Sequence, residues 1–117
     1  MKKEHFMIKP GPAKKLTIYI DEAEKLHGKP VYETILDILA QRKIAGASVF
    51  RGVAGYGIHG KLHTAKILEL STTLPLKLEI VDSAEMITII LAEIESVVEH
   101  GLMEISDTIV VKCGAIK

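Results

Sequence analysis

The sequence predicts an α+β domain of the split-βαβ, ferredoxin-like kind: a four-stranded antiparallel sheet with both helices on one face. Three observations predict it. Residues 15–20 and 76–81 alternate apolar and polar side chains, the period of a half-buried strand. Residues 30–43 and 82–100 instead repeat their apolar side chains at helical spacing. Each strand and helix is followed by a further strand, so the chain reads strand-helix-strand twice, with a glycine-rich loop at the join.

The elements follow in order. Residues 1–13 read as an N-terminal arm closed by Pro10-Gly-Pro12, and residues 14–117 as the domain. In the first strand Leu16, Ile18 and Ile20 share one face, with Lys15, Thr17 and Tyr19 on the other. Residues 21–29 are polar and end in His27-Gly28, which reads as a loop. Pro30 suits the first turn of a helix, where its missing N–H is no loss. Val31, Ile35, Ile38 and Leu39 carry that helix, and Ala45-Gly46-Ala47 is expected to stop it. Ser48 to Val53 is β-branched or aromatic enough for a second strand. Pro75 opens a third strand, and Asp82 with Glu85 reads as a capping box for the second helix. Ile87, Ile90, Leu91, Ile94, Val97 and Val98 give that helix its apolar side, and Gly101 is expected to cap its end. Thr108 to Lys112 is the expected last strand. The uncovered sheet face would then carry Thr17, Tyr19, Val81 and Val110 beside lysines, a surface that favours burial in an oligomer.

At 117 residues the chain is one domain, 48% apolar but aliphatic, with two Phe, three Tyr and no Trp. A formal net charge of zero argues against nucleic-acid binding, which needs a basic face. A lone cysteine, Cys113, rules out an internal disulfide and fits a reducing compartment. No apolar run reaches the ~18 residues of a membrane span, and the N-terminus has no signal-like core. A cytoplasmic protein with no transmembrane segment is the expectation.

The neutral balance conceals a split. No Asp or Glu occurs between Asp37 and Glu69, a zone that holds Arg42, Lys43, Arg51, Lys61 and Lys66. From Leu78 to Val111 there are eight carboxylates and no Lys or Arg. Four of the nine glycines, at 52, 55, 57 and 60, lie in the basic zone, within a loop at 52–64. Glycines allow backbone N–H groups to turn toward a ligand, and unopposed cations attract anions. Arg51 and Lys61 are therefore candidate ligand-binding cations, with Gly55 and Gly57 as backbone donors. Arg51 has a structural alternative as the ion-pair partner of a carboxylate of the acidic final third, for example Glu79 or Glu104. Lys29, just ahead of a helix N-terminus, is a further candidate anion contact. Glu93, Glu95 and Glu99 read as a solvated helix face, or as partners for Arg42 or Lys43 of a neighbouring subunit.

Two other motifs need weighing. Gly55-Tyr-Gly-Ile-His-Gly60 matches the dinucleotide fingerprint G-x-G-x-x-G, but no helix within a parallel βαβ unit follows, so the match carries no dinucleotide site. His59 and His63 are four apart, a spacing that would suit a metal, and a set shared between subunits could complete it. This gives an alternative reading as a metal-binding trimer or a small metal-dependent enzyme. No nucleophile-base arrangement accompanies Cys113, and the chain reads as a non-enzyme.

Several segments resemble the PII signal-transduction proteins and, more closely, a small PII-like family of unknown function. Ile44-Ala-Gly-Ala-Ser-Val49 is similar to the PII helix-to-strand turn, and Arg51 to Gly57 to the strand end ahead of the long T-loop. Leu74-Pro-Leu-Lys-Leu-Glu-Ile-Val81 is similar to the entry into the third PII strand. His27-Gly-Lys-Pro-Val-Tyr32 and Gly60-Lys-Leu-His63 resemble the PII-like group. The resemblance, over residues 15–112, implies a homotrimer with nucleotide-sized clefts between subunits. It also implies a loop that answers a ligand by contacting a transporter, enzyme or other protein partner, and a small anionic ligand such as an adenine nucleotide. Gly55 and Gly57 fall where PII proteins hold phosphate. The chain departs from PII in having Ile105-Ser-Asp-Thr108 in place of Gly-Asp-Gly-Lys, and in lacking the Arg-x-Arg tail.

Overall fold

The computed structural model describes residues 8–56, 62–64 and 74–113. Strand β1 (Gly11–Asp21) is followed by a minimal hairpin, β2 (Lys25–Leu26) and β3 (Lys29–Pro30), and then by helix α1 (Val31–Gln41). Strand β4 (Gly46–Arg51) leads to a second small hairpin, β5 (Ala54–Tyr56) and β6 (Leu62–Thr64). Strand β7 (Pro75–Asp82), helix α2 (Ala84–Glu95) and strand β8 (Leu102–Val110) complete the chain. The main sheet has the order β4-β7-β1-β8, with every neighbouring pair antiparallel. This is the expected α+β, ferredoxin-like arrangement.

The core lies between the sheet and the two helices. Leu16, Ile18 and Ile20 stand opposite Ile80, Leu78 and Leu76 across the β1–β7 ladder, so one row of aliphatic side chains faces the helices. Val31, Ile35 and Leu39 of α1 and Ile87, Ile90 and Ile94 of α2 close over them. The i, i+4 spacing in α1 and the i, i+3, i+7 spacing in α2 put each set on one stripe. All twelve residues are buried.

Several boundaries differ from the sequence expectation. β1 starts at Gly11, inside the expected arm, and residues 11–13 pair with Val110, Ile109 and Thr108 of β8. The β7 ladder begins only at Lys14, so β1 is an edge at Pro12, where a missing N–H is tolerated. The expected loop at 21–29 contains the β2–β3 hairpin, with His27 (φ 55°) and Gly28 (φ 79°) both left-handed at its two-residue tip. That pair of positive angles matches the twist of the flanking arms.

The helix ends also differ. α1 stops at Gln41, ahead of Ala45-Gly46-Ala47, because Lys43 turns left-handed (φ 53°). Lys43 N–H then donates to Ala40 C=O and Ile44 N–H to Leu39 C=O, which satisfies two terminal carbonyls in a Schellman motif. Ser83, rather than Asp82, caps α2, its hydroxyl accepting from Met86 N–H at 3.2 Å. Asp82 is buried instead, its carboxylate accepting N–H groups from Ala45 at 2.8 Å and Ser83 at 2.6 Å. Gly101 does not cap α2, which ends at Glu95. A Cβ there would come within 2.7 Å of the Tyr19 carbonyl oxygen, so only glycine lets the chain pass β1 this closely. β8 consequently starts at Leu102, well before Thr108. Leu102 and Asp107 interrupt the apolar alternation that would have marked the strand.

Candidate functional site

Both helices of the described residues pack on one face of the sheet, and among the described residues no helix covers the other. By register this second face holds Lys15, Thr17 and Tyr19 of β1, Lys77, Glu79 and Val81 of β7, Ser48 and Phe50 of β4, and Leu102 and Glu104 of β8. One end of this face forms the wall of a cavity of about 740 Å³. Tyr19, Phe50, Lys77, Leu102 and Glu104 line it from the sheet, and Arg51, Gly52, Ala54, Gly55 and Tyr56 from the end of β4 and from β5. The volume lies within the range of small-molecule sites.

Three of the five aromatic residues of the chain, Tyr19, Phe50 and Tyr56, meet in this cavity. They come from β1, β4 and β5; Tyr19 is distant in sequence from the other two, and the sheet register brings it to Phe50. Phe50 and Tyr19 are the two neighbours of Lys77 across β7. The Lys77 ammonium stands 5.9 Å from the Phe50 ring centroid, a cation–π distance. Its other partner is Glu79, at 2.9 Å. The hydrogen bond to Glu79 and the charge behind it hold Lys77 above its ordinary value. The same hydrogen bond holds Glu79 below its own.

Arg51, the last residue of β4, lines the cavity with its side chain 53% exposed. Its Nε donates to Glu22 Oε1 at 2.8 Å. The sequence offered Glu79 or Glu104 as its carboxylate. Glu22 pairs with it instead, from just past the end of β1 and across Leu74 at the entry to β7, while Glu79 is engaged by Lys77. Gly52 and Gly55 have a packing reason to be glycine. A Cβ on either would fall 2.8 and 2.9 Å from Pro75 Cγ. Gly52 N–H donates to Pro75 C=O at 2.8 Å, which holds the chain just after β4 beside the start of β7.

The remaining sequence candidates are distributed as follows. Lys29 lies on the β3 arm, ion-paired with Asp37 of α1, and is not among the residues lining the cavity. The Asp37 hydrogen bond holds it above its ordinary value. Gly57, His59 and Lys61 lie outside the described residues, and of His63 only the backbone pairing with Gly55 is described. Arg42 pairs with Glu93 of the same chain, tying α1 to α2. Among the described residues, Glu24, Glu99 and His100 bring three potential metal-ligand atoms within 4.8 Å of one another. Glu99 and His100 are exposed, and such surface groups are common without an ion. No helix among the described residues is long and apolar enough to cross a membrane.

Comparison with known proteins places this geometry in a family. A UPF0166 protein of Aquifex aeolicus is 37% identical over 98 residues, covering 84% of this chain and 92% of that protein. A UPF0166 protein of Methanocaldococcus jannaschii is 39% identical over 101 residues, covering 86% and 93%. Among solved structures, the chain is similar to CPII, a nitrogen regulatory PII-like protein from Thiomonas intermedia bound to ADP, AMP and bicarbonate. There the TM-score is 0.67 at 22% identity, over 90% of this chain and 93% of that one. A putative PII-like signaling protein from Thermus thermophilus matches with a TM-score of 0.62 at 14% identity, over 89% and 94%. The model of the DUF190 family, described as an uncharacterized ACR, matches residues 13–110. With that match and these relatives, the chain belongs to the DUF190/UPF0166 family, and its fold is that of the PII-like proteins.

Proposed function

We propose that this protein is a trimeric regulatory protein that binds a small anionic metabolite, an adenine nucleotide being the first candidate, in the cavity at the base of the 52–64 segment. One observation carries the reading: Tyr19, Phe50 and Tyr56 meet Arg51 in one cavity of ligand size. Aromatic rings offer a flat apolar surface to a planar base, and a guanidinium offers a fork of donors to phosphate or carboxylate oxygens. CPII, which shares the fold, was solved with ADP, AMP and bicarbonate, all of which match that pairing of chemistries in whole or in part.

The cavity opens on the uncovered sheet face, so a second copy of the chain packed there would wall it, and the site would lie between subunits. The 52–64 segment starts from the cavity at Gly52 and Gly55. Its four glycines make it costly to order, and ligand contacts at its base would offset part of that entropy. In this reading it is the surface offered to a protein partner, a transporter or enzyme. Gly57 and Lys61, next along the same segment, would add a backbone donor and a charge. The protein acts in the cytoplasm and catalyses no reaction.

Isothermal titration with ADP, AMP and bicarbonate tests the reading. Arg51→Ala should weaken binding of the phosphate-bearing ligands by about tenfold, the scale of one partly exposed charge-assisted contact. Unchanged affinity beside a lowered melting temperature would instead reduce Arg51 to a structural partner of Glu22.

A further inference from the structure

β4 ends at Arg51 and β7 begins at Pro75, and one side chain holds both Arg51 and Leu74, the residue before Pro75. Glu22, just past the end of β1, accepts Arg51 Nε–H at 2.8 Å and Leu74 N–H at 3.3 Å on the same carboxylate oxygen, Oε1. Its own N–H donates to the Leu74 carbonyl at 3.0 Å. Leu74 is therefore gripped from both sides by one residue, and it is buried, 3% exposed. The Glu22 side chain is only 24% exposed, whereas that of Arg51, which lines the cavity, is 53% exposed.

We infer that Glu22 is a latch that competes with an anion in the cavity for Arg51 and, through the same oxygen, transmits the outcome to the backbone at Leu74. The inference rests on the anion-binding reading given above and adds its regulation. An anion that reaches Arg51 brings a second negative charge beside the Glu22 carboxylate. The cavity region already holds Asp21 and Glu104, and the cation Lys77 is committed to Glu79. Like charges sharing one cation weaken each other's hold, so each stabilises itself at the other's expense. Because Oε1 serves Arg51 and Leu74 together, an anion that repels the Glu22 carboxylate from Arg51 displaces the same oxygen from Leu74 N–H. Coupling of this kind is reciprocal: whatever fixes Leu74 to Glu22 lowers anion affinity by the same factor that the anion lowers Leu74 protection. Glu22 touches no ligand in this scheme and is a positioning residue.

The substitution Glu22→Gln keeps an oxygen acceptor for Leu74 N–H and removes the Glu22 charge from beside Arg51. ADP and inorganic pyrophosphate serve as probes. Glu22→Gln is expected to bind both about two- to fivefold more tightly than the wild type, the range for a partly exposed ion pair. In the wild-type protein, saturating ADP should speed amide hydrogen exchange at Leu74, and in Glu22→Gln that ADP-dependent change should shrink. The exchange measurement on wild type requires no variant to fold. Equal or weaker binding by a folded Glu22→Gln overturns the latch, as does Leu74 exchange that ignores ADP. Both outcomes leave the anion site standing if Arg51→Ala still loses affinity. Failure of both wild type and Glu22→Gln to bind either probe overturns the anion reading and the latch together.

Discussion

Lys43 holds a left-handed backbone that an L side chain adopts at a cost of about 1 kcal/mol or more. The Schellman bonds at Ala40 and Leu39, and the packing of Ile44 on the core, hold it there. Lys43→Gly relieves the strain but gives the unfolded chain more freedom, so a net gain of about 0.5–1 kcal/mol is expected in denaturant unfolding. Gly101 presents the reverse case. Gly101→Ala puts a Cβ against the Tyr19 carbonyl, a rigid backbone atom, and should destabilise the protein by about 1–3 kcal/mol in the same assay. Asp82 stands between these. Its carboxylate joins the entry to β4 with the start of α2, and Asp82→Ala would leave the N–H groups of Ala45 and Ser83 without that acceptor. A loss of about 2–4 kcal/mol is expected. A loss under about 0.5 kcal/mol would mean that water or a shifted backbone replaces the carboxylate.

Among the elements, the two helices meet the sheet through aliphatic rows and meet each other through Arg42 and Glu93. The Arg42 hydrogen bond holds Glu93 below its ordinary value of 4.5, and Glu93 raises Arg42 in turn. A carboxylate whose folded value is depressed contributes stability above its unfolded value and loses it as the pH falls through the folded value. The α1–α2 link should therefore be intact at neutral pH and still present at pH 4.5, and be lost as the pH falls further, through the lowered value of Glu93. In Arg42→Met the Glu93 carboxyl, followed by carbon NMR, should titrate at a higher pH than in wild type. An unmoved titration would show that the pair does not persist in solution. Surface pairs of this kind are screened, so 1 M salt should shrink the difference.

For the whole molecule, the uncovered sheet face governs the expectation. Phe50 is 43% and Leu102 55% exposed there, and both line the cavity. Light scattering should report a mass near three times 12.8 kDa. A monodisperse monomer at micromolar concentration would remove both the trimer and the site between subunits. Leu102→Arg should shift the assembly toward monomer while the helical circular dichroism persists, since Leu102 lies outside the core between sheet and helices. Ligand affinity should fall with the assembly if a second copy walls the cavity, and should survive if one chain suffices.

Strand and helix periods, Pro30, Pro75 and the doubled strand-helix-strand order determined the fold class, because burial of one face imposes a period that a single sequence displays. Arg51 and Gly55 were legible as site candidates for a similar reason: an acid-free glycine-rich stretch stands out locally. What lies opposite them was not legible. Glu22 reaches Arg51 across 29 positions, and Tyr19 and Phe50 come together only once β1, β7 and β4 are in register. The same limit applied to the ends of elements. Ser83 against Asp82 as the cap, Lys43 as the terminator, and Gly101 as a point of close approach depend on which neighbour the backbone meets. Hydrophobic period is a property of the chain, whereas contacts between distant residues are a property of the packed sheet, and the tertiary structure alone decided them.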